Sequence, residues 1–134
     1  MPTILELLRA EQAQSGAEQS GLPGAAEGPQ DAYRHALWSA LLARDYGPAV
    51  SRTVTGAHEL LGLGKGAYDE FVEGTPNALS EARQSSEMDF RNNRLGARLG
   101  AGMRPGTSDE ALRAEVLARA LRGELTSRRP PTNN

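Results

Sequence analysis

Residues 29–48 read PQDAYRHALWSALLARDYGP, and this stretch decides the fold. Proline fits the first turn of a helix, because its missing N–H would have no partner there. Glycine followed by proline at 47 and 48 ends one helix and opens another. The pattern therefore predicts a helix from about residue 29 to Tyr46, followed at once by the next helix.

The inward face of this helix carries polar residues where apolar ones are expected. At 100° per residue, Asp31, His35, Trp38 and Leu42 fall within about 60° of one another. A buried carboxylate and a buried imidazole each need a partner, because an unpaired polar group in the interior costs free energy. The four-residue spacing lets Asp31 and His35 reach one point.

The next helix is predicted over residues 48–61, where the buried stripe consists of Val50, Val54, Ala57 and Leu61. His58 lies about 80° from the centre of that stripe, and Glu59 lies nearly opposite it. By geometry His58 is therefore the better candidate for an inward site. The sequence GLGKG at 62–66 predicts a break, followed by a short helix over 67–72.

A long helix is predicted over residues 78–99, closed by glycines at 100 and 102. One narrow stripe of this helix is made of small and polar residues: Ala78, Ala82, Ser85, Asp89, Asn93, Gly96 and Gly100. Arginines occupy the opposite face, so Asp89 and Asn93 face the protein. The small residues would let another helix approach closely.

The ends of the chain complete an all-α prediction, a compact bundle of five or six helices with an N-terminal helical arm. Thr3 and Glu6 have capping-box spacing for a first helix that ends near Gln14. Residues 15–29, rich in glycine and proline, are predicted to be a linker. Thr107 opens a last helix to Leu121. The predicted organisation is 1–28 arm and linker, 29–124 helical domain, and 125–134 flexible tail.

Composition excludes several classes of protein. The 134 residues contain no cysteine, so a disulfide framework, a thiolate zinc site and a cysteine nucleophile are ruled out. No apolar run is long enough for a membrane span, and no classical signal peptide is present. We expect synthesis in the cytoplasm, with virion association or export without a classical signal as further expectations. Nucleic-acid binding is disfavoured, because no aromatic residues accompany the arginines near the C-terminus.

The polar residues on three helices form a ligand set suited to a divalent cation such as Zn²⁺ or Mn²⁺. Such an ion would activate a bound water and support hydrolysis. Without metal, His35 or His58 would act as a general base oriented by Asp31 or Asp89. The alternative is a fully satisfied buried network that fixes helix register and catalyses nothing. These alternatives stay open at the level of sequence.

Three motifs in order, DAYRHALWSALLA at 31–43, AHE at 57–59 and MDFRNN with Gly96 at 88–96, resemble an uncharacterised bacterial domain. That domain occurs in secreted, polymorphic-toxin-type and phage proteins, and the resemblance covers about residues 31–100. Ser39 stands where the domain usually has asparagine. The resemblance implies importance for nine residues: Asp31, Arg34, His35, Trp38, His58, Glu59, Asp89, Asn92 and Asn93.

The order of these residues is also similar to that of the HD-type phosphohydrolases, whose ligands are a histidine, a His-Asp pair and an aspartate. His35, the pair His58-Glu59 and Asp89 follow the same order here, with glutamate replacing the aspartate of the pair. The positions on the helices predict Asp31, His35, His58 and Asp89 as metal ligands, and the resemblances add Glu59. His35, His58 and Asp89 would also be catalytic, and Arg34, Trp38, Asn92 and Asn93 would position substrate.

Two functional hypotheses follow. The first is a metal-dependent hydrolase that acts on a phosphoester, lipid or cell-envelope bond as a toxin-like or phage-delivered effector. The second is a non-enzymatic assembly protein, such as a phage structural or internal virion component. In the second hypothesis residues 3–14 and the C-terminal tail bind neighbours or further copies of the chain.

Overall fold

The computed structural model describes residues 4–128, with side chains from Arg9 onward. Within this range the chain forms five α-helices and no strand. Their bounds are α1 Ile4–Gln19, α2 Pro29–Tyr46, α3 Pro48–Phe71, α4 Ala78–Ala101 and α5 Asp109–Leu121. The prediction of an all-α bundle of five or six helices is therefore confirmed. No helix in the described range is long and apolar enough to span a bilayer.

Helix α2 is the centre of the bundle and contacts the other four helices. Its apolar residues, among them Leu37 and Leu41, form the core together with Leu112 and Val116 of α5. Burial on nearly every side explains why most of its side chains are apolar or small. The few polar side chains of α2 that are buried must therefore meet partners on neighbouring helices.

Helices α2 and α4 are in backbone contact. A Cβ atom on Gly96 would collide with the carbonyl oxygen of Ala36, and one on Gly100 would collide with that of Ala40. Only glycine permits this approach. The predicted close approach along the small-residue stripe of α4 is thus present, and it holds Asp89 and His35 on facing helices near each other.

Helix α3 differs from its prediction in two ways. It is continuous from Pro48 to Phe71, so the predicted break at 62–66 and the separate short helix at 67–72 are wrong. Gly66 faces α4, where a Cβ would stand 2.5 Å from that of Ala82, so this glycine serves packing rather than a turn. Packing of Gly66 on α4 helps to keep this segment helical, although Gly62 and Gly64 are exposed and have weak helix propensity.

The inward face of α3 was also predicted wrongly. Its buried residues are Ser51, Thr55, Glu59 and Gly66, whereas Val50 and Leu61 are 43% and 75% exposed. The predicted apolar stripe therefore faces outward. Small polar residues face α2 and α4 because Ser51 hydrogen-bonds to the hydroxyl and carbonyl oxygens of Ser39 on α2.

The first helix continues five residues beyond its predicted end and stops at Gln19. Ala13 and Ala17 are buried in the core, and Gly16 lies against Leu37. Helix α1 thus packs on its own chain through residues that were predicted to be linker. Thr3, its predicted cap, lies outside the described residues.

Toward the C-terminus, Ser108 rather than Thr107 caps α5, since its side chain accepts a hydrogen bond from the N–H of Ala111. Beyond α5 the chain returns to α4. Thr126 exchanges two hydrogen bonds, both of 2.8 Å, with the side chain of Asn92. Arg128 reaches Gln84 and Ser85 on α4. Residues 125–128 of the predicted tail are therefore held, and the rest of that tail lies outside the described residues.

Candidate functional site

Four ionisable side chains from three helices meet in the interior. Asp31 and His35 come from α2, Glu59 from α3 and Asp89 from α4, and each is at most 8% exposed. Three acids and one imidazole occupy one small region, which we call the carboxyl–imidazole cluster. The cluster forms because α2 and α4 are in backbone contact and because the side chain of Glu59 on α3 points inward.

His35 is the centre of the cluster. Its Nε2 atom lies 3.3 Å from Oδ1 of Asp89 and 3.5 Å from Oδ1 of Asp31. Its Nδ1 atom lies 4.0 Å from Oε2 of Glu59. Both ring nitrogens therefore face carboxyl groups, and the ligand atoms of Asp31, His35 and Asp89 all lie within 4.8 Å of one another.

Asp31 is the acid of the cluster that is paired to a cation. Arg34 donates a hydrogen bond to its Oδ1 from one turn away, and the backbone N–H of Glu27 donates to its Oδ2 at 2.8 Å. Glu27 has a left-handed backbone, with φ of 61°. This turn aims its N–H at the start of α2 and fixes the Asp31 carboxylate.

Burial changes the protonation of the remaining members. It raises the pKa of Glu59 to about 9, with a further rise from the negative charge of Asp89. It also raises the pKa of Asp89 to about 6, although the hydrogen bond from Glu59 opposes that rise. Burial lowers the pKa of His35 to about 4, outweighing the attraction of Asp31. Near neutral pH the cluster thus holds a neutral imidazole and a protonated Glu59 beside the Asp89 carboxylate.

Several polar atoms of this region have no hydrogen-bond partner within the described part of the chain. They are Nε of Arg34, Nδ1 of His35, Nε1 of Trp38, Oε2 of Glu59, Oδ1 of Asp89 and both amide atoms of Asn93. Each unsatisfied buried group costs about 1–3 kcal/mol. Natural interiors avoid this cost, so a group of such atoms at one place indicates a missing partner.

Aromatic side chains lie beside the cluster. His58 is exposed, with its ring centroid 6.4 Å from that of His35 and 5.5 Å from that of Trp38, which it meets edge-on. Partial burial lowers the pKa of His58, and the nearby charge of Arg34 lowers it further. The sequence-based ranking of His58 above Glu59 is therefore reversed, because α3 turns its polar face inward.

Two predicted residues have other partners. The side-chain amide of Asn92 is committed to the backbone of Thr126, so it holds the C-terminal segment rather than the cluster. Ser39, which stands where the resembling domain usually has asparagine, donates to the carbonyl oxygen of Asn93 at 2.6 Å and lies against Ser51. Its hydroxyl is fully buried in this contact.

Glu27 is the participant that sequence reasoning missed. It lies in the glycine-rich stretch before α2, which reads as a linker and carries no periodic signal. Its carboxylate accepts hydrogen bonds from Ser85 and Arg128, and its N–H holds Asp31. The only sequence signal was its position four residues before Asp31, which is too common to be informative.

The fold and the site define a class of protein: a five-helix bundle with one imidazole among three buried carboxyl groups. The chain belongs to the family described as Domain of unknown function (DUF6973), whose model matches residues 4–124. We found no match among curated proteins or among solved structures. The expectation of an uncharacterised domain is thus confirmed, while the bacterial, secreted, toxin and phage contexts stay predictions.

Proposed function

We propose that this protein is a metal-dependent hydrolase in which Asp31, His35 and Asp89 bind a divalent cation. The proposal rests on one observation: a buried nitrogen and two buried carboxylate oxygens from two helices lie within 4.8 Å of one another. Two carboxylates are rarely buried so close together without a compensating positive charge. Arg34 supplies such a charge to Asp31, and its guanidinium also lies 3.4 Å from Nε2 of His35, whereas Oδ1 of Asp89 has no hydrogen-bond partner among the described residues.

The two distances from His35 suit a tetrahedral ion, and the ligand oxygens of Asp31 and Asp89 lie within 4.8 Å of each other. Ligand atoms bound at 2.0–2.1 Å to such an ion lie about 3.3–3.4 Å apart. Nε2 of His35 is 3.3 Å from the Asp89 oxygen and 3.5 Å from the Asp31 oxygen. One nitrogen and two oxygens favour Zn²⁺ or Mn²⁺ over the harder Mg²⁺ and Ca²⁺.

Glu59 would support the ion without binding it. Histidine ligands usually donate their second ring N–H to a carboxyl group or carbonyl, which fixes the ring. Nδ1 of His35 faces Oε2 of Glu59 at 4.0 Å, so a small rotation of the ring would form that hydrogen bond. Protonated Glu59 would also donate a hydrogen bond to Asp89 and so hold that carboxylate in place.

Three protein ligands leave a coordination position for water, which is the arrangement of catalytic rather than structural zinc sites. An ion held there would lower the pKa of a bound water and polarise a phosphoryl or carbonyl oxygen. The unpaired amide of Asn93 and the exposed His58 beside the cluster would orient substrate and transfer a proton. A phosphoester, lipid or cell-envelope bond, cleaved by a toxin-like or phage-delivered effector, is the substrate range we propose.

Metal analysis tests the proposal. We expect purified protein to bind one Zn²⁺ or Mn²⁺ per chain in calorimetry, and to melt at a higher temperature when the ion is added. His35→Ala and Asp89→Asn should lose both effects. His58→Ala is the matched control, since it removes an imidazole outside the three-ligand group and should keep the ion. Absence of binding, together with an unchanged melting temperature, would refute the proposal.

Catalysis needs its own measurement. Release of p-nitrophenol from bis(p-nitrophenyl) phosphate and from p-nitrophenyl esters should require the added ion. The activity should be absent in Asp89→Asn, and a chelator should reduce the activity of the unaltered chain to background. If the protein binds the ion tightly but cleaves neither probe, the metal site stands, and hydrolysis of phosphodiesters and of carboxylic esters is excluded.

A second candidate function, assembly of copies of this chain, is favoured by the outward face of α3. Its apolar and small residues follow alternating steps of four and three, as in helices that pair side by side: Val50, Val54, Ala57, Leu61, Gly64, Tyr68 and Phe71. Leu61 and Phe71 are 75% and 71% exposed. Such a stripe on a surface helix marks an interaction site.

The occupant we favour for this stripe is α3 of a second copy, because the same spacing on both partners makes the contact self-complementary. Light scattering should then give a dimer for the unaltered chain and a monomer for Leu61→Glu. Ala111→Glu, which adds the same charge at an exposed position on α5, should leave the dimer intact. A monomeric unaltered chain at high concentration would eliminate this candidate.

A further inference from the structure

A groove separate from the carboxyl–imidazole cluster lies where α3 begins beside the last turns of α4. It has a volume of about 490 Å³. Three arginines line it, Arg52 from α3 with Arg94 and Arg98 from α4, together with Pro48 and small residues of α4. Arg98 lies about 13 Å along α4 from Asp89, at a rise of about 1.5 Å per residue. The groove is therefore not part of the proposed metal site.

These arginines have no internal counter-charge. None of the three has a carboxylate within 4 Å in the described part of the chain; Arg52 makes only a 3.4 Å contact to the carbonyl oxygen of Pro48. The sequence explains this. Segments 46–58 and 90–108 contain five arginines and neither aspartate nor glutamate.

The acids that flank these two segments are all engaged elsewhere. Asp45 and Asp109 form ion pairs with Arg9 and Arg44. Glu59 and Asp89, the other two, are buried in the cluster. In a chain with 17 acids, the positive charge of the groove is therefore left for a ligand from outside.

We propose that this groove binds a phosphate group of a small molecule or of a lipid headgroup. Guanidinium groups bind phosphate through paired hydrogen bonds, and several converging arginines favour a group with more than one negative charge. A volume of about 490 Å³ lies within the range of roughly 300–1,000 Å³ typical of small-ligand sites. Helix α3 adds to the attraction, because its first turn contains no acid to neutralise its positive end.

The test uses inorganic pyrophosphate as the probe, titrated into the full chain in calorimetry with EDTA present. The chelator keeps any ion out of the cluster, so the result is independent of the proposed hydrolase activity. We expect binding that weakens about tenfold in Arg98→Gln and in Arg94→Gln. Arg83→Gln, which removes an exposed arginine elsewhere on α4, should change the dissociation constant less than twofold.

Two further measurements make the test decisive. Circular dichroism melts of the three variants should match the unaltered chain, because all three arginines are exposed. Sedimentation with phosphatidylcholine vesicles, with and without phosphatidic acid, separates the sources of the phosphate. If the protein binds only the vesicles with phosphatidic acid, and Arg98→Gln abolishes that binding, the groove is a headgroup site. If it binds free pyrophosphate but neither kind of vesicle, the ligand is a soluble molecule. No binding of either probe, or equal weakening by Arg83→Gln, would overturn the proposal.

Discussion

The free energy of unfolding of the metal-free protein should fall as pH rises from about 7.5 to 9, and Glu59→Gln should remove that fall. Burial and the neighbouring Asp89 raise the pKa of Glu59 from 4.5 to about 9 in the folded chain. Above pH 4.5 the unfolded chain releases this proton while the folded chain retains it. Unfolding therefore becomes more favourable as pH rises, until the folded form also ionises near pH 9.

Other cluster members act at lower pH. His35 has a folded pKa of about 4 against 6.5 when unfolded, so between these values the unfolded chain binds its proton and stability rises with pH. Asp89 has a folded pKa of about 6 against 3.8 when unfolded, so its titration lowers stability as pH rises. This loss levels off above about pH 6. At pH 6.5 half of the unfolded His35 and His58 side chains still hold a proton, and His58 also has a lowered pKa in the fold, so both histidines oppose the fall up to about pH 7.5. Above about pH 7.5 only Glu59 remains, with a slope of about 1.4 kcal/mol per pH unit that flattens near pH 9. The total loss from about pH 7.5 to 9 is roughly 1.5–2 kcal/mol.

The assay is urea unfolding followed by circular dichroism at several pH values between about 7.5 and 9, with EDTA present. Glu59→Gln keeps an uncharged group that can donate to Asp89, so its stability should be nearly constant across this range. Glu87→Gln, at an exposed position of α4, should retain the slope of the unaltered chain. A flat profile for the unaltered chain, or an equal slope in Glu59→Gln, would show that Glu59 is ionised in the fold.

Three further outcomes follow from the packing and the site. In urea titrations, Gly96→Ala should destabilise the protein by roughly 3 kcal/mol, because the new methyl group meets the carbonyl of Ala36. Gly62 has open space around it, so Gly62→Ala should stabilise the protein by about 0.5–1 kcal/mol. Asn92→Ala removes both hydrogen bonds to Thr126 and should speed hydrogen exchange of that amide about tenfold. Zn²⁺ at a hundred times its dissociation constant should raise the free energy of unfolding by about 3 kcal/mol, measured against a chelated sample.

The sequence predicted the inward faces of α2 and α4 because each has a clear contrast between faces. On α4 the arginines oppose a stripe of small residues, so Asp89 and Asn93 had only one side to face. The buried position of His35 followed from its four-residue spacing to Asp31. These two helices account for the three ligand atoms of the proposed metal site.

Helix α3 was predicted incorrectly because apolar periodicity assumes that the apolar face is the buried one. Here α2 and α4 touch through glycine and alanine, and α3 fits beside them with Ser51, Thr55 and Glu59 inward. What decides its rotation is hydrogen bonding between helices that are distant in sequence. A single helical wheel contains no information about those partners.

The serines between α2 and α3 offer an internal comparison for the carboxyl–imidazole cluster. Ser39 and Ser51 form a fully buried network with the backbone oxygens of Ser39 and Asn93, at 2.6–2.8 Å. Their hydroxyls are satisfied, so this network already fixes the register of the three helices. The cluster, in contrast, leaves atoms of Asp89 and Glu59 unsatisfied. A purely structural role explains the serines well and the cluster poorly.

Paired substitutions separate the two roles. Ser51→Ala should lower the free energy of unfolding by about 1–2 kcal/mol and change the dissociation constant for Zn²⁺ less than twofold. Asp89→Asn should weaken Zn²⁺ binding at least about a hundredfold while the chelated protein keeps its stability or gains some, because a charge next to Glu59 is removed. If Asp89→Asn instead destabilises the chelated protein as strongly as Ser51→Ala does, the cluster is a structural network and the proposed metal site is wrong.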